Sequence, residues 1–217
     1  MSYEEVMERV ASAASRVGRD AEEITVVAVS KTKTTDDVLA IYELGHRDFG
    51  ENRAKEMAQK TNWLPDDVRW HFVGPLQSNK ASLVRPDTHL LHSMDRRSLA
   101  KSWLKGPGLP PPVLVQVNIG DETQKSGVAP RDVPSTVTWL EDMGIEVVGL
   151  MALPPAPDEP EDSRGNFVEM RRLREGLGAQ HPRVIELSMG MTDDYEVAIE
   201  EGASIIRVGR AIFGPRT

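Results

Sequence analysis

Eight short apolar or β-branched runs recur along this chain, each separated from the next by a polar stretch, and this alternation limits the folds open to it. The runs cover residues 24–29, 47–49, 69–73, 89–94, 113–119, 145–151, 184–188 and 204–208. Between them, residues 35–44, 53–61, 95–104, 133–143, 167–177 and 193–201 have helical spacing. These segments are often opened by Thr, Asp or Asn and closed by Gly, the residues that cap helix ends. Strands that alternate with helices run parallel. Eight such units predict an α/β fold, a single (β/α)8 TIM-type barrel. The usual length for that fold is about 250 residues; this chain has 217, so its helices and loops must be short. A doubly wound open sheet is the alternative.

Ahead of the first run, Ser2 and Glu5 have capping-box spacing, and Val6, Val10, Ala14 and Val17 share one helical face before Gly18. That predicts an extra N-terminal helix. Residues 105–112 and 154–165 are rich in turn formers and read as loops, the second an acidic, Pro-rich excursion, so residues 1–217 are expected to form one domain.

The formal net charge is −8, with no basic patch, which argues against nucleic acid and anionic membranes as partners. With no cysteine, a disulfide framework, a thiolate metal site and a cysteine nucleophile are all excluded. The acidic amphipathic start is unlike a signal peptide, and no apolar run approaches the ~18 residues of a membrane span. The expectation is a cytoplasmic protein. A closed barrel has no edge strand to drive pairing, which favours a monomer.

In a parallel barrel, functional groups gather where strands end at their C-terminal side. The first run, ITVVAVS, leads into Ser30 and Lys31. A lysine there places its amine in the barrel mouth, where desolvation lowers its pKa and makes it nucleophilic toward an aldehyde. Its plainer reading is a lysine that snorkels to water. A phosphate site in this fold commonly lies after strands 7 and 8. There the chain has Ser188, Met189, Gly190 and Met191 before a helix start at Thr192, then Arg207, Val208, Gly209 and Arg210 before AIFG. Each glycine lets backbone N–H groups approach an anion at a helix N-terminus, although either alone could be an ordinary turn. Asn52 could bond a ligand hydroxyl or simply cap a helix. His71, alone within its strand, reads more readily as a wall residue than as an acid or base, and no second histidine has metal-ligand spacing to it, so no metal site is expected.

The segments VVAVSKTK (26–33), DFGEN (48–52), WHFVGPLQSNK (70–80), VQVNIGDETQKSG (115–127), VVGLMA (147–152), LSMGMTDD (187–194) and RVGRAIFG (207–214) together resemble the pyridoxal phosphate homeostasis proteins, the YggS/PROSC-like family. They span nearly the whole chain in order. The resemblance implies a barrel similar to one half of alanine racemase, with pyridoxal 5'-phosphate (PLP) held as a Schiff base on Lys31. It further implies that Ser188 contacts the phosphate, that the N–H groups of Gly209 and Arg210 complete its cradle, and that Arg207 faces the pyridine nitrogen. A guanidinium cannot accept a proton from the ring, so carbanion chemistry is poorly supported. Arg210 stands where the family usually has Thr or Ser, which removes a hydroxyl from the phosphate site and leaves two orientations open to its side chain, inward or toward solvent.

The function implied is a carrier or regulator in vitamin B6 homeostasis, without turnover, passing PLP to apoenzymes. One rival is a PLP-dependent amino acid racemase, but none of the tyrosines Tyr3, Tyr42 and Tyr195 lies at an expected strand end to serve as a second acid-base group. Another is a cofactor-free Schiff-base aldolase acting on a sugar phosphate. Lys33 and Lys125, in loops near the mouth, are candidates for transient PLP acceptors and otherwise read as exposed charges.

Overall fold

In the computed structural model, which describes residues 1–120 and 126–214, every one of the eight apolar runs overlaps a strand. These are β1 (Thr25–Val29), β2 (Asp48–Glu51), β3 (Arg69–Phe72), β4 (Thr88–Met94), β5 (Val113–Val117), β6 (Val147–Ala152), β7 (Glu186–Ser188) and β8 (Ile205–Val208). Each pairs in parallel with the next, and β8 returns to β1 with Thr25 opposite Ile205 and Ala28 opposite Val208. The sheet is therefore a closed barrel, and the open-sheet alternative falls. Among the described residues, no helix is long and apolar enough to cross a membrane.

The expected extra helix is α1 (Tyr3–Arg16), and its capping box is complete: the Ser2 hydroxyl accepts from the Glu5 N–H, and the Glu5 carboxylate accepts from the Ser2 N–H. Val6, Val10, Ala13 and Ala14 form its buried face. Val17, expected on that face, instead caps the helix and is 42% exposed, because the chain turns at Gly18 with a φ of +68°. The helices that follow the strands are α2 (Thr35–Glu43), α3 (Ala54–Lys60), α4 (Ala81–Val84), α5 (Arg97–Trp103), α6 (Val133–Asp142), α7 (Arg164–Leu177), α8 (Tyr195–Glu200) and α9 (Arg210–Phe213). Helix α1 lies against α8, where Arg9 pairs with Glu196 and Arg16 with both Glu196 and Glu200.

Residues 154–165 depart from the loop expectation. Their second half forms a 3-10 turn at Pro160–Ser163 that runs into α7. The Glu159 N–H donates to Asp162 at 2.9 Å, and the Ser163 hydroxyl donates to Asp194 at 2.7 Å. Local hydrogen bonding by acidic side chains thus converts a Pro-rich run into a helix start.

The apolar core has two layers. The larger fills the space between strands and helices; the smaller, inside the barrel, comprises Val27, Val73, Leu90, Leu114, Met151 and Ile205. Branched apolar side chains usually fill such an interior. Here the buried set also includes Asp48, His71, His92, Ser188 and Arg207, so the barrel is partly polar inside.

Gly149 on β6 sits where β7 approaches most closely: a Cβ there would lie 2.2 Å from the Glu186 carbonyl oxygen. Replacing it with alanine must push two paired strands apart, a form of overpacking that costs about 1–3 kcal/mol. Gly149→Ala is therefore expected to unfold at clearly lower urea concentration than wild type. An unchanged midpoint would show that the β6–β7 pair yields without cost.

Candidate functional site

Side chains alternate across a strand, so Val27 and Val29 both pack in the barrel interior, and Lys31 follows in the turn just past the end of β1. Lys31 is half-buried where β1 ends. The turn after it is held open. Thr32 takes a φ of +66°, a left-handed conformation that a β-branched residue resists, and its N–H donates to the Glu56 carboxylate at 2.5 Å. Behind the turn, the Lys60 amine donates to Glu51 at 2.6 Å, Glu56 at 2.9 Å and the Ser30 carbonyl at 2.7 Å. Burial pushes the Glu51 carboxyl up, against the opposing pull of Lys60 and the Ser30 hydroxyl. These bonds fix the backbone from which Lys31 projects.

Lys33 was expected in an exposed loop. It is half-buried, and its amine donates to the Phe213 carbonyl at 2.9 Å, tying the β1–α2 turn to α9. Lys125 lies outside the described residues.

Ser188 and Arg207 meet under the mouth. One arm of the Arg207 guanidinium donates to the Ser188 hydroxyl at 2.5 Å and the other to the Ala152 carbonyl at 2.8 Å. Arg207 is only 4% exposed, and burial pushes it down to about 10, so it is still a cation at neutral pH. Ser188 has a second partner, His92 Nδ1 at 2.9 Å. A hydroxyl bonded both to a guanidinium and to an imidazole forms part of the floor. The half-buried hydroxyl that sequence reasoning passed over is Thr192, four residues on in the β7–α8 turn, whose side chain makes no hydrogen bond among the described residues. Its position at a helix start was the available signal.

His71 is not alone. Its Nδ1 lies 2.9 Å from His92 Nε2, and its Nε2 lies 3.0 Å from the Asp48 carboxylate. His92 escaped notice because it is 21 residues away, on the neighbouring strand. Arg69 grips Asp48 with Nε at 2.8 Å and a second bond from Nη2. Burial by itself would raise the Asp48 carboxyl, but the hydrogen bonds from Arg69 and His71 outweigh it and hold the group well below the carboxylate range. His92 is depressed by burial first, then by the facing charges of His71 and Arg207.

The two expected glycines lie where backbone must come close. Gly190 has a φ of +89°, and a Cβ there would lie 2.5 Å from that of Ala198. A Cβ on Gly209 would lie 3.2 Å from the Val29 carbonyl oxygen. The Arg207 N–H donates to the Gly190 carbonyl at 3.0 Å, which ties the loop after β7 to β8. Arg210 opens α9, so its N–H has no acceptor within the helix. Its side chain turns outward, 60% exposed, to Asp193 at 2.5 Å, and closes one loop on the other. Asn52 does not cap α3, because that position belongs to Arg53. Its side-chain oxygen is buried without a hydrogen-bond partner, and its Cβ and backbone pack where Gly74 leaves room for them. Among the described residues, no cluster of three or more metal-binding side chains occurs.

Fold and site together define a (β/α)8-barrel protein with a lysine at the mouth and a charged polar floor beneath it. No family model matches the chain. It is similar over 97% of its length to the pyridoxal phosphate homeostasis proteins of Aquifex aeolicus, 39% identical over 95% of that chain, and of Pseudomonas aeruginosa, 40% identical over 93%. The chain belongs to the pyridoxal phosphate homeostasis protein family. Among solved structures it is similar to PipY of Synechococcus elongatus with PLP bound, at a TM-score of 0.79 and 31% identity over 96% of this chain and 100% of that one.

Asp48 anchors the floor, and its loss is measurable. Folding lowers its pKa, so its stabilisation is complete above the unfolded-state value near 4 and fades as pH falls toward the folded value. Asp48→Asn is expected to cost about 2 kcal/mol at neutral pH, the order for unpairing buried charged donors. Urea unfolding should show the gap to wild type narrowing below about pH 4; a gap that widens there would contradict the charge assignment.

Proposed function

We propose that this protein holds PLP on Lys31 as a Schiff base and serves vitamin B6 homeostasis as a carrier, without catalytic turnover. The observation that carries this reading is the likeness to PipY, solved with PLP bound, along 96% of a chain whose own Lys31 stands at the barrel mouth. Lys31 would hold PLP through its amine, an imine C=N replacing the aldehyde C=O with loss of water.

The residues at the mouth fit a phosphorylated pyridine. Gly209 and Arg210 offer backbone N–H groups, Gly190 lets the two loops close, and Thr192 supplies a hydroxyl. Asn52 brings an acceptor that has no protein partner. When bound, PLP supplies a conjugated electron sink, whose strength depends on protonation of its ring nitrogen. Arg207 has no lone pair with which to take that proton, and its positive charge opposes a pyridinium. Such a site stores an aldehyde better than it stabilises a carbanion.

The tyrosines favour storage over racemisation. The Tyr3 hydroxyl pairs with His46, Tyr42 with Asp67, and the Tyr195 ring lies 5.9 Å from Arg9 on the outer side of the barrel. None is placed to exchange a proton above Lys31. Apoenzymes short of PLP are the proposed transient partners.

Purified protein incubated with PLP and desalted is expected to be yellow, and borohydride should fix the label on the peptide containing Lys31. Lys31→Ala should show neither. A colourless wild type would overturn the reading and direct attention to sugar phosphates. Because the Arg210 side chain is spent on an exposed ion pair, Arg210→Ala should change PLP affinity by less than about threefold. Asn52→Ala should weaken it about tenfold, the worth of one buried hydrogen bond. Equal effects would mean that the two side chains have been assigned to the wrong places.

A further inference from the structure

Five side chains on five different strands form one unbroken hydrogen-bonded line through the barrel: Asp48, His71, His92, Ser188 and Arg207. At one end Arg69, with half its side chain exposed, holds Asp48; at the other, Arg207 closes under the mouth.

The donors in this line can be assigned, because its two ends are fixed. Asp48 is ionised and only accepts, so the proton on His71 is at Nε2. Neutral His71 then accepts at Nδ1, which requires His92 to carry its proton at Nε2. His92 in turn accepts at Nδ1, so the Ser188 hydroxyl donates inward while accepting from Arg207. Every bond is satisfied, and all donate toward Asp48.

We propose that this line is a proton relay in which Ser188 takes up a proton from the mouth, His92 passes it on, and His71 stores it against Asp48. The atoms balance. The incoming proton binds Ser188 Oγ, the hydroxyl's original proton moves to His92 Nδ1, and the Nε2 proton of His92 moves to His71 Nδ1. His71 becomes the cation, and His92 remains neutral as the other tautomer. Ser188 then accepts from both His92 and Arg207 and turns its own O–H toward the mouth. A proton taken up there thus reverses the direction in which the floor donates.

The charge comes to rest on His71 for electrostatic reasons. His71 faces the Asp48 carboxylate at 3.0 Å, whereas His92 is fully buried and faces the Arg207 cation through Ser188. The other titratable groups around the pair are Arg69 on β3, His89 on β4, whose ring centre lies 5.5 Å from that of His71, and His46 just before β2, whose Nε2 bonds the Asp48 carbonyl. Burial depresses both His89 and His46, with repulsion from His71 as a lesser contribution, so neither competes for the proton. The relay makes Ser188 and His92 positioning residues for whatever occupies the mouth. That this is PLP rests on the function proposed above; the relay itself does not.

The test is long-range proton–nitrogen NMR of the full chain labelled with 15N-histidine, titrated without PLP. At high pH both His71 and His92 should carry Nε2–H. On acidification His71 should become doubly protonated while His92 switches to Nδ1–H, at one shared midpoint. A His92 that stays Nε2–H, that itself becomes the cation, or that switches at a different midpoint overturns the relay, as does retention of the high-pH state down to acid unfolding. His89→Gln, which leaves the line intact, should keep the switch. Asp48→Asn should move it down by about one pH unit or more, the effect of losing a facing opposite charge. Should that variant not fold, Ser188→Ala serves instead: it deprives His92 Nδ1–H of its acceptor and should also lower the midpoint. Loss of the PLP spectrum with the switch intact would count against the proposed function alone; loss of the switch with the spectrum intact would count against the relay alone.

Discussion

A guanidinium and a carboxylate inside the same barrel set the terms for everything else in this protein. Arg207 and Asp48 are both buried, and an isolated ion in such surroundings is too costly to keep. They persist because His71, His92 and Ser188 bridge the interior between them, and because Arg69 and the Ala152 carbonyl finish the two ends. The inner apolar cluster is correspondingly small, and the structure depends on a polar path with every member bonded.

That path gives the mouth a rigid floor, and the surrounding turns give it shape. The strained Thr32 turn, braced from behind by Glu51, Glu56 and Lys60, fixes the backbone that carries Lys31. Across the mouth, the loop after β7 is tied to β8 through the Gly190 carbonyl and to the start of α9 through the Asp193–Arg210 pair. Arg210 stands where the resemblance implies a hydroxyl residue. Its side chain pairs with Asp193 in the loop after β7, so the anion site proposed above draws on backbone N–H groups and Thr192. Exposed pairs of this kind contribute little stability, and their effect is on loop geometry.

Much of the site was legible because strand-end position follows from simple alternation. Lys31, Gly190, Arg207 and Gly209 all lie at or just beyond the ends of apolar runs, and a parallel barrel brings such ends together. Ser188 was found for the same reason, but its contact with His92 was not, since that distance is set by strands β4 and β7 lying across the barrel. His71 looked solitary for a related reason. Its partners Asp48 and His92 are on the strands to either side, where no local spacing connects them. The Pro-rich stretch near Glu159 misled because turn composition hid a helix start supplied by Asp162 and by Ser163 reaching Asp194.

The sequence by itself determined the number and order of strands, the capped N-terminal helix, and the lysine and glycines at strand ends. These depend on periodicity and on conformational preferences that act within a few residues. Only the tertiary structure decided that the sheet closes, that Arg210 faces Asp193, and that Asp48, His71, His92 and Ser188 form one line into which Arg207 donates. Those outcomes depend on which strands become neighbours and on where burial leaves a charge in need of a partner. Both are settled by contacts between residues far apart in the chain.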